Sequence, residues 1–339
     1  MVVAAIAALS VPALSGCSAQ VGYILKTDEN GDKYYSVAAE GNALFLKGEV
    51  VIPETHGGYP VKEIAPHGFS GTAITKITVP ATIEKIGDAA FSYNNNLKEA
   101  VFADGGVLEE IPWWAFAYCP NLKTVTMSSS VKTVEGAAFY ECIRLEEINF
   151  SEGLERINVA AFSECTALVS VNLPEGLISI GNSAFFGCTS LESIILPDGM
   201  HDTEELSLDS EGKPVTEKIP AVGAIAFFGC NSLKTAYLGE GITTVSEGLF
   251  GNCVALERLY LPSTLKQIKG MYESNGLSYG HAFYNVKNLS VVYFGGSQDD
   301  WEQVEIDDTE YKGNNVSDNS AILNSTIIYN FSFSGLQNF

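Results

Sequence analysis

Positive charge is in short supply in this sequence. Lys and Arg together number 19 against 41 Asp and Glu, a formal net charge of −22. A polyanion of this kind repels nucleic acid and anionic membrane surfaces, so neither is an expected partner. Histidine is scarcer still, with His56, His67, His201 and His281 scattered along the chain. No Cys-x-x-Cys spacing accompanies them, so no metal site is expected. Walker A and H-E-x-x-H are missing as well, which leaves phosphate cradling and zinc-protease chemistry without residues to perform them. Acid pairs occur everywhere in so acidic a chain and carry no specificity. The expectation is a protein that is not an enzyme and uses no cofactor. Long apolar runs are absent beyond the first seventeen residues, so no other segment reads as membrane-spanning.

What the chain has in abundance is repetition. Ala184–Leu191 reads AFFGCTSL and Ala226–Leu233 reads AFFGCNSL. Phe69, Phe91, Phe116, Phe139, Phe162, Phe185, Phe227 and Phe250 each follow a Val or Ile by five residues, and Phe283 follows Ile268 by fifteen. The steps between them are 22, 25, 23, 23, 23, 42, 23 and 33, so the base period is 23 and the two long steps carry insertions near 198–217 and 269–279. About nine copies result. Each reads Leu-x-x-Ile-x-Leu-Pro, then x-x-Val-x-x-Ile, then three variable residues and Ala-Phe-x-x-Cys, with Leu168–Cys188 showing the pattern without gaps.

A period in the twenties that opens on Leu-x-x-Leu-x-Leu is the signature of a leucine-rich repeat, in which each coil adds one strand to a parallel sheet. The usual Asn column is missing. With Pro174, Ile180, Ala184, Phe185 and Cys188 in its place, the pattern over roughly residues 60–295 resembles the BspA-like, Treponema-type subclass of bacterial leucine-rich repeat surface proteins. The resemblance implies a mainly β solenoid with its parallel sheet on the concave face. Physics alone demands stacking, because a 23-residue coil cannot bury its own apolar side chains. Identical residues then form columns: Leu122, Leu145, Leu168 and Leu191; Val125, Ile148, Val171 and Ile194; and the phenylalanines.

The flanks are expected to cap this array. Residues 18–60 read as an N-terminal cap with a degenerate first coil, residues 61–295 as the array, and residues 296–339 as a C-terminal cap in which Trp301 packs on the last coil. The run around Glu29-Asn30-Gly31-Asp32 predicts a hairpin. A calcium loop fails there, because its spacing would need Gly at Lys33 and Glu at Ala39. The insertion at 198–217 concentrates acids around Glu204 and Glu205 and reads as an exposed loop.

Cys119, Cys142, Cys165, Cys188, Cys230 and Cys253 share one repeat position, where Thr72, Asn94 and Val286 stand in the end copies. Column neighbours lie about 4.8 Å apart with parallel Cα–Cβ vectors, whereas a disulfide needs Cβ atoms converging to about 3.8 Å. Small buried hydrophobes are the expected role. Cys17 differs: it ends an apolar stretch in Leu14-Ser15-Gly16-Cys17, which resembles the bacterial lipobox. Residues 1–17 then form a lipoprotein-type signal and Cys17 becomes the lipidated N-terminus. The first basic residue is Lys26, so the basic start of an ordinary signal peptide is missing.

Two functions fit this outline. The family resemblance implies adhesion, with an extracellular protein of host or neighbouring cells as partner; exposed aromatic side chains would favour a glycan-binding surface lipoprotein. Either is an exported monomer that meets the membrane only through a lipid anchor. Side chains alternate along a strand, so the fifth position of Leu-x-x-Ile-x-Leu points away from the core. Coil by coil it reads Thr78, Val101, Thr126, Asn149, Asn172, Ile195, Tyr237, Tyr260 and Tyr293. The last three are candidate ligand contacts, although aromatic ladders also stabilise strands by packing alone. Trp113 and Trp114 occupy freely varying positions and are the other candidates, with at least one indole expected in solvent.

Overall fold

A repeat of 23 residues returns the chain to the same angular position at each step, so every column of the sequence becomes a line of contacts. The computed structural model describes residues 20–208, 214–271, 273–274, 277–278, 280–307 and 319–332; Cys17 and the lipobox lie outside them. Two compact units are present, Met1–Leu154 and Glu155–Phe339.

The first unit opens with the antiparallel hairpin of Gln20–Thr27 and Lys33–Glu40. Its turn is closed by the Asp28 carboxylate, which accepts the amides of Asn30 and Asp32, both at 2.9 Å. Behind it runs a parallel sheet of Lys47–Val51, Ala73–Val79, Glu99–Phe102, Thr124–Thr126 and Glu147–Asn149. A second line of short strands forms where each coil writes Val-x-x-Ile, with Glu110–Ile111 parallel to Thr133–Val134.

The second unit repeats the plan. Ser193–Ile195, Thr235–Tyr237, Arg258–Leu261, Val291–Phe294 and Thr326–Ile328 form its parallel sheet. Thr244–Val245, Gln267–Ile268 and Glu305–Ile306 form the short line. The C-terminal segment therefore extends both ladders in register, covering strand edges that would otherwise stay unpaired, and Trp301 meets Phe294 edge-on at 5.2 Å. Two expectations change. Leu168–Cys188 matches the repeat without gaps, yet residues 169–174 form no strand. The insertions are not plain loops: Thr203–Leu208 pairs antiparallel with Pro214–Ile219, and Glu273–Ser274 with Leu277–Ser278.

Phenylalanine fills the interior. In the first unit Phe69, Phe91, Phe116 and Phe139 stack at 5.8, 4.9 and 5.3 Å. In the second, Phe162, Phe185, Phe227, Phe250 and Phe283 stack at 5.3, 5.5, 5.9 and 5.9 Å. All nine are fully buried, and each ring contributes about 1.5–3 kcal/mol by leaving water.

Around eight of the nine Phe the backbone alternates in a way the letters do not announce. Two residues before it, His67, Ala89, Trp114 and Ala137 in the first unit have φ between 53° and 60°, as do Ala160, Ser183, Ile225 and Gly248 in the second between 50° and 61°. Two residues after it, Gly71, Tyr93, Tyr118 and Glu141, then Glu164, Gly187, Gly229, Asn252 and Asn285, are again left-handed. The alternation turns the Phe amide along the stack: Phe69, Phe91 and Phe116 donate to Ala90, Ala115 and Ala138 carbonyls at 2.7, 2.8 and 2.7 Å. Phe162, Phe185 and Phe250 do the same to Ala184, Ala226 and Ala282 at 2.7, 2.8 and 2.8 Å. These bonds hold a left-handed backbone that an L-residue adopts at a cost of about 1–2 kcal/mol.

The cysteines complete the coil. All six in the repeat column are free and buried. They are not only hydrophobes, however: Cys119 and Cys142 thiols donate to the carbonyls of Phe91 and Phe116 at 3.1 Å. Cys188, Cys230 and Cys253 donate to those of Phe162, Phe185 and Phe227 at 3.2, 3.3 and 3.1 Å. Asn94 takes the same role in the first unit, its Nδ2 donating to the Phe69 carbonyl at 2.9 Å. Burial raises these thiols, Cys119 to about 12, which keeps the proton that makes the bond.

Candidate functional site

The tyrosines of the fifth strand position come together on the second unit. Ile195, Tyr237, Tyr260, Tyr293 and Ile328 are direct register partners across its sheet. Tyr260 and Tyr293 stack at 4.5 Å and 8°, and Tyr237 tilts against Tyr260 at 6.2 Å. Phe331, which the repeat pattern did not single out, lies across the pair at 5.4 and 4.8 Å. The rings are half-buried, so their faces are largely spent on one another and their edges and hydroxyls remain. Strands hold them with little freedom to lose, which suits a contact surface.

Carboxylates rim one end of this ridge. The Tyr237 hydroxyl donates to Asp198 Oδ1 at 3.4 Å, and the Glu240 amide donates to the same oxygen at 2.8 Å. Burial first, then the charges of Asp198, Glu240 and Glu175, push the Tyr237 hydroxyl well above its ordinary range. Burial, then Tyr293, raises Tyr260. Both hydroxyls therefore stay protonated donors at neutral pH.

The tryptophans lie apart from the ridge, in the first unit. Trp113 and Trp114 are 43% and 42% exposed, so both indoles reach solvent. Trp113 also covers Gly136, where any Cβ would stand 2.2 Å from its ring. Trp114 is left-handed at φ 60° and joins aromatic residues that the reading of the repeat as variable positions passed over. Tyr93 stacks on Tyr118 at 4.8 Å and 13°, Trp114 lies 6.4 Å from Tyr118, and Tyr140 meets Tyr118 edge-on at 5.4 Å.

Among the described residues no group of three His, Cys, Asp or Glu is arranged to hold a metal ion, and no helix is long and apolar enough to cross a membrane. A cleft of about 170 Å³ between Asp28, Tyr34, Lys62, Glu63, Glu84 and Lys85 is smaller than the roughly 300–1,000 Å³ of small-molecule sites. Two of its carboxylates are held in ion pairs, Glu63 with Lys26 at 2.6 Å and Glu84 with Lys62 at 2.8 Å. Gly276-Leu277-Ser278-Tyr279-Gly280 spells G-x-S-x-G, a nucleophile signature that the repeat reading overlooked. A nucleophile elbow needs a strand running into a helix, whereas Leu277–Ser278 is one arm of a short antiparallel hairpin.

Stacked parallel ladders with a phenylalanine spine define a leucine-rich repeat solenoid. The chain belongs to the BspA-type leucine-rich repeat family: the pattern described as "BspA type Leucine rich repeat region (6 copies)" matches residues 49–143, 132–217, 160–277 and 214–339. Among solved structures it is similar to the leucine-rich repeat protein of Treponema pallidum, 23% identical over 69% of this chain and 87% of that one, with a TM-score of 0.45. A leucine-rich cell surface protein of Faecalibacterium prausnitzii is 20% identical over 89% and 100%, with a TM-score of 0.41. A leucine-rich repeat protein of Bacteroides ovatus is 18% identical over 91% and 98%, with a TM-score of 0.47. No curated protein matches the sequence.

Proposed function

We propose that this chain is an exported, lipid-anchored binding module at the bacterial surface, and that its Tyr237–Tyr260–Tyr293 ridge engages an extracellular protein of a host or neighbouring cell. The observation that carries this reading is the ridge itself: three register-aligned, half-open tyrosines backed by Phe331. Because the rings cover one another's faces, the ridge offers edges and hydroxyls. Tyr is the residue type that concentrates binding energy at protein contacts. The carboxylates of Glu175, Asp198 and Glu240 beside Tyr237 favour a partner that brings Lys or Arg to the rim.

The purified ectodomain, probed against a panel of extracellular-matrix proteins, should retain at least one. Tyr260→Ala should then weaken that binding at least tenfold, roughly 1.4 kcal/mol, with the melting curve little changed, and Thr126→Ala should do neither. A Tyr260→Ala protein that melts earlier but binds equally well makes the ridge scaffold. For the anchor, a palmitate analogue supplied to a bacterial host should label the protein with a basic segment added before Met1, and spare its Cys17→Ala variant. Equal labelling of both removes Cys17 from the proposal.

A further inference from the structure

The aromatic turn face of the first unit differs from the ridge in one respect that decides its chemistry: one ring face is left open. Tyr93 and Tyr118 occupy the position two residues after Phe, and that column runs Gly71, Tyr93, Tyr118 in the stack, as the amide bonds Gly71 to Ser92 and Tyr93 to Ala117 show. Tyr118 covers one face of Tyr93 at 4.8 Å. The other face looks along the column toward Gly71, which brings no side chain, and a Cβ built there meets nothing within 4 Å. Tyr93 is accordingly 56% exposed, the most open aromatic ring among the described residues.

The residues beside Gly71 and Tyr93 in their turns, Ser70, Thr72, Asn94, Asn95 and Asn96, carry no charge. Asn95 and Asn96 are exposed. Asn121 on the following coil is held by Arg144, whose Nη1 donates to its Oδ1 at 2.8 Å, and donates in turn to the Asn95 carbonyl at 2.7 Å. A flat aromatic face with neutral amides in the same turns matches a ligand that is apolar on its flat side and hydroxylated at its rim. Asn side chains both donate and accept, as sugar hydroxyls do, and C–H groups on a ring face carry the partial positive charge that the negative face of an aromatic ring attracts. A docking protein would instead need on the order of 800 Å² on this side, far more than one ring. We propose that the Tyr93 face over Gly71 is a carbohydrate-binding site that stacks one pyranose ring of an extracellular glycan, with Tyr118, Trp114 and Tyr140 as its rigid backing.

The column itself supplies clean variants. Gly71, Gly187 and Gly229 stand at this left-handed position in other coils, as do Glu141 and Glu164, so Tyr93→Gly and Gly71→Glu both place residues the backbone already accepts there. The ectodomain, carrying Trp301→Phe so that Trp113 and Trp114 alone report, is passed over a glycan array, and any retained pyranose oligosaccharide is titrated by indole fluorescence. Retention of at least one such glycan is expected, with a fluorescence change. At least a tenfold loss should follow in both Tyr93→Gly, which removes the platform, and Gly71→Glu, which fills the gap; melting curves should match the wild type, and Tyr260→Ala should bind normally. An array on which nothing is retained overturns the proposal, as does undiminished glycan binding in either variant or the finding that Tyr93→Gly abolishes binding of an extracellular-matrix protein instead.

Discussion

A buried thiol in this protein does two things at once. Cys188 fills an apolar interior and donates to the carbonyl of Phe162 at 3.2 Å, which the amide of Cys165 also reaches at 3.2 Å. Removing the thiol therefore leaves that carbonyl with a donor, and Cys188→Ala should cost only about 1–2 kcal/mol in urea denaturation. Cys188→Asp puts an unpaired carboxylate where it cannot be hydrated and should abolish the cooperative transition; equal midpoints for the two variants would contradict the buried ladder. Thiol titration of denatured, air-purified protein should recover most of the six, and a majority found as disulfides would count against the same geometry. Left-handed positions give the second residue-scale expectation. Ala160 sits at φ 54° and half-buried, so Ala160→Gly removes a steric cost that ordinary positions do not have. It should leave stability unchanged or raise it by up to about 1 kcal/mol, where a regular strand or helix position would lose that much. Glu110 gives a third. Its carboxyl is raised above the ordinary 4.5 by burial first, then by the charges of Glu135 and Asp88. A raised folded value means the native state prefers the protonated acid, so its favourable contribution is complete below the unfolded value and lost as pH rises through the folded one. Glu110→Gln should accordingly melt higher than wild type at pH 7 and coincide with it near pH 4; a constant difference across that range would point to lost packing instead.

At the scale of elements, the coil is one supersecondary unit whose worth depends on its neighbours. Phe185 stacks at 5.3 and 5.5 Å on Phe162 and Phe227, so Phe185→Ala opens a void in three coils at once and should cost about 3–5 kcal/mol. The hairpin of Thr203–Leu208 and Pro214–Ile219 pairs with itself, and replacing residues 203–219 by a short link should move the melting midpoint little; a large fall would mean that the hairpin supports the coil it interrupts. These elements also show why some of the structure could be read from letters and some could not. Phe, Leu and Val columns were legible because burial tolerates few alternatives, and strand alternation placed the tyrosine ridge from spacing alone. Left-handed sites are satisfied by several residue types, Gly71 and Gly187 but also Glu164 and Tyr118, so they looked merely variable; the Gly and Asn that share the column were the available signal. Tyr93 and Tyr118 were missed for that reason, since a variable column suggests no stacking. The insertion at 198–217 was read as a loop because an interruption of a repeat registers as a gap, although TEELSL and PVTEKI have the length of strands. Phe331 lay beyond the last copy, where no periodicity could align it with Tyr260.

Over the whole molecule the decisive quantity is charge. A net −22 on a chain with 19 basic residues means that every Lys can find a carboxylate and most carboxylates find no Lys. In the first unit Lys76 meets Glu99 at 2.9 Å, Lys123 meets Glu146 at 3.0 Å and Lys132 meets Glu109 at 2.6 Å, and in the second Lys234 meets Glu192 at 3.2 Å. Each joins successive strands or turns of the ladder. All of these pairs are substantially exposed, so each contributes only about 0–1 kcal/mol, and salt can remove no more than that from any of them. The unpaired carboxylates act over a longer range. At 10 mM salt the screening length is about 30 Å, which at roughly 4.8 Å per coil lets a carboxylate repel others throughout its own unit. At 150 mM it shrinks to about 8 Å, less than two coils, while ions in contact at about 3 Å keep most of their attraction. Repulsion should therefore be lost faster than pairing, and the melting temperature should rise when NaCl goes from 10 to 150 mM. Lys132→Met, which removes one cation and one pair, should melt below wild type by more at 10 mM than at 150 mM, because it adds to the same long-range repulsion. A wild-type melting temperature that falls with NaCl would mean that the cross-coil pairs, and not the excess of carboxylates, set the stability of the array.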